Sequence, residues 1–154
     1  MELRRTMLFM PGNNPGMLQT AAVFGSDAVI FDLEDAVALT EKDAARYLIS
    51  EALRTNKYDD VEVVVRVNPL STPYAEKDID VIARLKPDAI LLPKACPEDI
   101  AVLDKKLDEI EKEMGFEAGS IKIHPLVETT YGVETVYETI KSSPRVISVL
   151  LGGE

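Results

Sequence analysis

A regular alternation of short apolar runs with helical segments constrains the fold of this chain more than any other feature. Six runs are near-continuously hydrophobic, which is typical of parallel strands covered on both faces. They occupy residues 6–10, 28–33, 61–68, 89–93, 121–127 and 146–151. Their starts lie about 28 residues apart on average, close to the ~30 residues of a β-α-β unit. The sequence therefore predicts five β-α repeats followed by a sixth strand.

The segments between these runs have helical periodicity and recognisable ends. Asn14 is predicted to cap the first helix, because the following Pro15 suits the first helical position. Thr40 with Asp43 predicts a capping box for the second, and Gly115 is predicted to end a long fourth helix. Shorter helices are predicted over residues 75–85 and 133–142.

Such alternation means a parallel sheet with right-handed crossovers, either an open doubly wound sheet or a closed barrel. Polar or conformationally special residues follow every predicted strand. This favours a barrel, whose chemistry sits at the carboxyl ends of its strands. A (β/α)8 barrel typically needs ~250 residues, and 154 residues supply about five and a half units. We predict one partial TIM-barrel domain over residues 1–154.

Three carboxylates, Asp32, Glu34 and Asp35, follow the second apolar run, and residues 29–40 contain no basic side chain. Burial of unpaired negative charge costs several kcal/mol or forces protonation. These carboxylates therefore either cap the next helix or support a functional site, and their spacing leaves both interpretations open.

Arg66, Lys94 and Glu128 lie at the ends of the third, fourth and fifth runs. Unpaired arginine is almost never buried, so Arg66 is predicted to bind a ligand or to form a salt bridge. Lys94 is compatible with a Schiff-base nucleophile or with a salt bridge to Asp32 or Glu34. Carboxylates without a His or Cys cluster favour Mg²⁺ or Mn²⁺ over zinc.

Composition excludes several classes of partner. The net charge of -10 and the pI near 4.6 argue against nucleic acid and anionic membranes, which would repel the chain. A single cysteine, Cys96, rules out an internal disulfide framework, and no apolar stretch approaches the ~20 residues of a membrane span. We expect a cytoplasmic protein.

Six motifs in order resemble the HpcH/HpaI aldolase/citrate lyase family. They are RRTMLFMPG, FDLEDAV, VVRVN, LLPKA, a Glu-Thr after the fifth run, and SPRVISVLLGGE. FDLEDAVA with VVRVN is similar to the citrate lyase β and malyl-CoA lyase branch. The resemblance implies a Mg²⁺-dependent retro-Claisen lyase that converts citryl-acyl carrier protein to oxaloacetate and acetyl-acyl carrier protein. The alternative substrate is malyl-CoA or a related hydroxyacyl-CoA, cleaved by a lyase or thioesterase.

The resemblance also implies roles for individual residues and partners. Arg66 would bind the oxo acid and stabilise the enolate, and Glu128 would be a metal ligand that also contacts substrate. Gly153 and Glu154 would help to bind substrate. One or two of the carboxylates Asp32, Glu34 and Asp35 would hydrogen-bond to Arg66 or to metal-bound water, and Lys94 would lie with them around the metal and its ligands. The implied partners are a citrate lyase α subunit, acyl carrier protein and further copies of the chain.

One departure from the family pattern concerns the second metal ligand. In the family this is an aspartate just after the Gly-Gly-Glu of strand six, whereas this chain ends at Glu154. We therefore expect the chain to be part of a longer protein and to be weakly active or inactive alone. The alternative is a non-catalytic half-barrel whose exposed apolar edge strands drive self-association.

Overall fold

Six parallel strands form one curled sheet in the computed structural model, which describes residues 4–153. The strands are β1 (Met7–Pro11), β2 (Ala28–Asp32), β3 (Glu62–Arg66), β4 (Ala89–Leu92), β5 (Lys122–Val127) and β6 (Leu150–Leu151). Their spatial order, β1-β2-β3-β4-β5-β6, is the same as their order along the chain. A doubly wound sheet would reverse its strand order at a switch point, and these six strands do not. The predicted barrel class is confirmed.

Helices follow the first five strands. They are α1 (Pro15–Thr20), α2 (Lys42–Thr55), α3 (Ala75–Ala83), α4 (Pro97–Met114), α5 (Thr130–Glu134) and α6 (Val136–Lys141). Asn14 caps α1 as predicted, accepting a hydrogen bond from the Met17 amide at 3.2 Å. Gly115 ends α4 with a φ of +69°, also as predicted. Within residues 4–153, no helix is long and apolar enough to cross a membrane.

The predicted capping box at Thr40 and Asp43 is wrong. A 3-10 turn (Leu39–Glu41) precedes α2, and no side chain caps the helix. The Asp43 carboxylate instead accepts hydrogen bonds from Arg46 Nη1 at 2.5 Å and Lys77 Nζ at 2.8 Å. The partners on α2 and α3 thus take the carboxylate that the capping box required.

The predicted single helix over residues 133–142 is also wrong, because the chain forms α5 and α6 with a break at Thr135. Thr129 Oγ1 accepts a hydrogen bond from the Gly132 amide at 3.0 Å, so the helical segment begins three residues early. A Cβ on Gly132 would lie 2.9 Å from the Ala95 carbonyl oxygen. This turn therefore packs closely on the loop after β4.

The central strands β2 to β5 are buried on both faces. A large apolar cluster fills the space between sheet and helices, and a smaller one lies on the other face of the sheet. The smaller cluster comprises Ile30, Val64, Ala89, Leu91 and Leu126. Because side chains alternate along a strand, Asp32 and Arg66 share the face of Ile30 and Val64. The inner face of the curl thus ends in a charged pair.

Arg145 anchors the segment before β6 to α4. Only 2% of its surface is exposed, and its guanidinium pairs with Asp104, Asp108 and Glu111 of that helix. Arg145 Nη1 also donates to the Ile121 carbonyl at 2.9 Å. A buried guanidinium satisfied in this way fixes α4, β5 and β6 relative to one another.

Replacing Glu111 by Gln should lower the free energy of unfolding at pH 7 by about 2 kcal/mol. Burial opposes the charge of Glu111, but hydrogen bonds from Arg145 and from the Ile121 and Gly119 amides outweigh it and lower its pKa to about 2. The contribution is therefore complete above the ordinary pKa of 4.5 and is lost as the pH falls through about 2. Chemical denaturation of the unmodified protein and of Glu111→Gln at several pH values measures this difference in the free energy of unfolding.

The exposed Glu109 on the same helix offers a matched control. Its replacement by Gln should leave the free energy of unfolding unchanged at each pH, because it has no role in the Arg145 contacts. A stability loss in Glu111→Gln that does not shrink in acid would contradict the assigned ion pair.

Replacing Gly12 by Ala should destabilise the fold by about 1–3 kcal/mol. A Cβ at this position would lie 2.6 Å from the Asp32 carbonyl oxygen and 2.7 Å from Ile49 Cδ1, so the backbone after β1 would have to move. Gly16→Ala is the control, since its nearest contact is 3.5 Å away. Thermal unfolding of both variants decides the matter, and equal melting temperatures would refute the close approach.

Candidate active site

Asp32 and Arg66 form a bidentate ion pair between neighbouring strands. They are direct partners in the β2–β3 register. Arg66 Nε donates to Asp32 Oδ1 at 2.7 Å and Nη2 donates to Oδ2 at 2.6 Å. The Arg66 side chain is 11% exposed and the Asp32 side chain 1%. The centre of the Phe9 ring lies 4.9 Å from the guanidinium carbon of Arg66. This geometry fixes the plane of the guanidinium.

Asp32 also shapes the loop that follows it. Its Oδ1 accepts a hydrogen bond from the Glu34 amide at 2.8 Å, and Oδ2 accepts one from the Ala36 amide at 2.9 Å. Burial disfavours the charge of Asp32, but the hydrogen bonds from Arg66 and from these amides outweigh burial and lower its pKa. Asp32 therefore remains ionised and folds the loop back toward Arg66.

Glu34 lies buried between two cations. Its Oε1 accepts a hydrogen bond from Lys94 Nζ at 3.0 Å, and Oε2 lies 3.3 Å from Arg66 Nη1 without a hydrogen bond. Burial raises the pKa of Glu34 above its usual value, although Lys94 and Arg66 oppose that shift. Asp35 lies at the edge of this group, 3.7 Å from Arg66 Nη1, with a side chain that is 69% exposed.

Lys94 connects this group to Glu128. Its backbone amide donates to Glu128 Oε1 at 3.0 Å, while its Nζ lies 3.9 Å from the same oxygen. The φ of Lys94 is +52°, an uncommon conformation for a residue with a Cβ. Gly152 leaves space beside this carboxylate, since a Cβ there would lie 2.9 Å from Glu128 Oε2.

The structure thus brings five of the predicted site residues together at the edge of the sheet where the parallel strands have their carboxyl ends, called the carboxyl rim below. They are Asp32, Glu34, Arg66, Lys94 and Glu128. Gly153 is exposed, and a Cβ there would meet no atom within 4 Å. Glu154 lies outside the described residues. The roles proposed for these residues in substrate binding stay predictions.

For Lys94 the geometry favours the salt bridge over the Schiff base. The hydrogen bond to Glu34 raises the pKa of the Lys94 ammonium, whereas a Schiff-base lysine must be neutral to attack a carbonyl.

Lys42 supports the rim in a way that the sequence pattern did not predict. It is buried, and its Nζ donates to the Leu33 and Glu34 carbonyls at 2.7 and 2.6 Å. Asn68 Nδ2 donates to the Leu33 carbonyl as well, at 3.0 Å. These bonds hold the backbone that carries Glu34. The available signal was a lysine in the first turn of an amphipathic helix, close behind three carboxylates.

The oxygen donors of the rim suit Mg²⁺ in kind, since this ion prefers carboxylates and water. The described residues do not supply enough of these oxygen ligands to complete a metal site. Within the part of the chain that the structure describes, no group of three or more His, Cys, Asp and Glu side chains is placed to hold a metal ion. Glu128 is the candidate ligand, because its Oε2 receives no hydrogen bond from the described residues.

Comparison with known proteins agrees with this architecture. The chain is 44% identical to the citrate lyase subunit beta of Leuconostoc mesenteroides subsp. cremoris over 99% of its own length and 51% of that protein. The citrate lyase beta subunit of Mycobacterium tuberculosis complexed with oxaloacetate and magnesium is 26% identical, with a TM-score of 0.75. That comparison covers 99% of this chain and 60% of the other.

A second structure, the CitE protein of Mycobacterium tuberculosis with magnesium, acetoacetate and coenzyme A, is 27% identical with a TM-score of 0.75. The match covers 97% of this chain and 50% of the CitE chain. The chain spans about half the length of the curated relatives it matches. Residues 5–154 match the family described as HpcH/HpaI aldolase/citrate lyase. The chain belongs to the HpcH/HpaI aldolase/citrate lyase family.

Proposed function

We propose that the protein is a carbon-carbon lyase that cleaves a citryl thioester into oxaloacetate and an acetyl thioester. Membership of the family and the similarity to citrate lyase beta subunits support this proposal. The observation that carries it is a continuous series of contacts on one rim, from Asp32 through Arg66, Glu34 and Lys94 to Glu128. A substrate at this rim would meet a fixed guanidinium and a carboxylate together.

Arg66 would hold the oxo-acid part of the substrate. Asp32 accepts the Nε hydrogen and one Nη2 hydrogen, so both hydrogens of Nη1, which faces Glu34, and the second hydrogen of Nη2 remain for a ligand. A planar guanidinium stays charged at any physiological pH and suits a carboxylate or a developing enolate oxygen. Its fixed orientation avoids the cost of reorganising the group as charge develops.

Glu128 would hold Mg²⁺, or less favourably Mn²⁺, with water and substrate completing the coordination. The bound ion would act as a Lewis acid on the oxo-acid carbonyl. The Lys94 amide binds Oε1 and so orients the carboxylate, which leaves Oε2 as the ligand atom. In this proposal the metal ligand would lie on the same rim as the arginine that would bind the substrate.

The proposal extends to carrier and partners. The acyl group would be carried as a thioester on acyl carrier protein or coenzyme A, and the protein would work with a citrate lyase α subunit and further copies of itself. Two findings support this: the Leuconostoc relative is named as a subunit, and the CitE protein was solved with coenzyme A. Turnover of citryl-acyl carrier protein, compared with malyl-CoA, tests the substrate, and preference for malyl-CoA would contradict the proposal.

Replacing Arg66 by Lys should reduce citryl-thioester cleavage by at least about 100-fold. An ammonium cannot form a bidentate pair with Asp32 and also donate a hydrogen bond to the substrate. The measurement is kcat/KM with a citryl thioester. Arg84→Lys, on the outer helical layer at the end of α3, is the control and should retain activity. Equal activity of the two variants would remove Arg66 from the site.

In the full-length protein, replacing Glu128 by Gln should abolish Mg²⁺ binding as measured by calorimetry, because a neutral amide is a poor ligand for this ion. Glu138→Gln, an exposed position on α6, should bind like the unmodified protein. Unchanged affinity in Glu128→Gln would show that the ion is held elsewhere.

A further inference from the structure

The carboxyl rim contains a second cation whose role the proposed function leaves open. Segments 11–14, 32–36, 66–69, 93–96, 128–130 and 152–153 form this rim, and they contain two basic side chains, Arg66 and Lys94. We propose that the Lys94 ammonium binds a second carboxylate of the substrate, and that it thereby selects a dicarboxylic 2-oxo acid over a monocarboxylic one. This inference rests on the proposed function and names a specificity residue within it.

Accessibility distinguishes Lys94 from the other cations near the rim. The Arg66 side chain is 11% exposed, and Asp32 holds two of its nitrogens. Lys42 is buried and donates to backbone carbonyls. The Lys94 side chain is 47% exposed. An incoming anion can therefore reach Lys94 without displacing the inner ion pair.

Lys94 also has donors to spare. An ammonium has three N–H donors, and within residues 4–153 one of them is used, in the hydrogen bond to Glu34 Oε1 at 3.0 Å. This bond fixes the position of the ammonium beside Glu34. The backbone of Glu34 is itself fixed, because its amide donates to the Asp32 carboxylate and its carbonyl accepts a hydrogen bond from Lys42 Nζ. The ammonium is thus a positioned group with free donors.

The backbone of Lys94 ties this ammonium to the candidate metal ligand. Lys94 has a φ of +52°, which is uncommon for a residue with a Cβ, and its amide donates a hydrogen bond to Glu128 Oε1. The ammonium consequently lies 3.9 Å from that oxygen. If one carboxylate of a small oxo acid is bound by Arg66 and by an ion held at Glu128, Lys94 is the other basic side chain of the rim segments, and it is exposed enough for a second carboxylate to reach it. A monocarboxylic oxo acid has no group to place there.

Calorimetric titration of the purified protein with oxaloacetate and with pyruvate, both with Mg²⁺ present, tests the inference. We expect Lys94→Met to weaken oxaloacetate binding about tenfold and to leave pyruvate binding unchanged. Lys94→Arg should restore most of the preference. Lys86→Met is a matched control, because Lys86 is also a lysine with positive φ, at 55°, but it precedes β4 at the other end of the strand.

Each outcome decides the matter. Equal weakening of oxaloacetate and pyruvate in Lys94→Met would mean that Lys94 acts only by positioning Glu128, and would overturn the inference. Unchanged oxaloacetate binding would overturn it as well. If the unmodified full-length protein binds neither oxo acid, the proposed function itself fails. If it binds oxaloacetate more tightly and Lys94→Met keeps that preference, the proposed function stands and only the role of Lys94 is lost.

Discussion

A buried ion pair between two adjacent strands organises the whole rim. Asp32 accepts four hydrogen bonds, two from the Arg66 guanidinium and two from the amides of Glu34 and Ala36. The same carboxylate therefore fixes the direction of Arg66 and the path of the loop that carries Glu34. Removing one member would leave the other as an uncompensated buried charge, which usually costs 3–5 kcal/mol. Folding and the geometry of the site thus depend on one contact.

The topology could be read from the chain because the strands are covered on both faces. Continuous apolar runs at nearly constant spacing leave few arrangements other than sequential parallel strands. The gathering of Arg66, Lys94 and Glu128 follows from that topology, since parallel strands end at the same rim. The topology did not decide which carboxylate pairs with which cation, and the predicted salt bridge of Lys94 was left open between Asp32 and Glu34. Asp32 and Asp35 are three residues apart, yet one is buried and the other exposed, because the chain leaves the sheet directly after Asp32.

Local errors had a tertiary cause. Asp43 has the spacing of a capping residue, but Arg46 and the distant Lys77 bind its carboxylate. No pattern within a single helix contains that information. The early start of α5 has a nearer cause, because Thr129 Oγ1 accepts a hydrogen bond from the Gly132 amide where the chain packs on the loop after β4. Sequence periodicity therefore located the helices and the start of α1, whereas these contacts set the starts of α2 and α5.

The rim shares the acidic character of the chain, because four carboxylates, Asp32, Glu34, Asp35 and Glu128, lie there beside two basic side chains, Arg66 and Lys94. An anionic substrate therefore depends on these two cations and, in the proposed function, on the bound metal ion to offset the repulsion. The left-handed backbone of Lys94 adds an evolutionary consequence. Glycine would adopt that φ without strain, so selection for heat resistance alone would favour glycine there. Such a lineage would gain robustness and lose the ammonium, and its descendants would discriminate less well among their substrates.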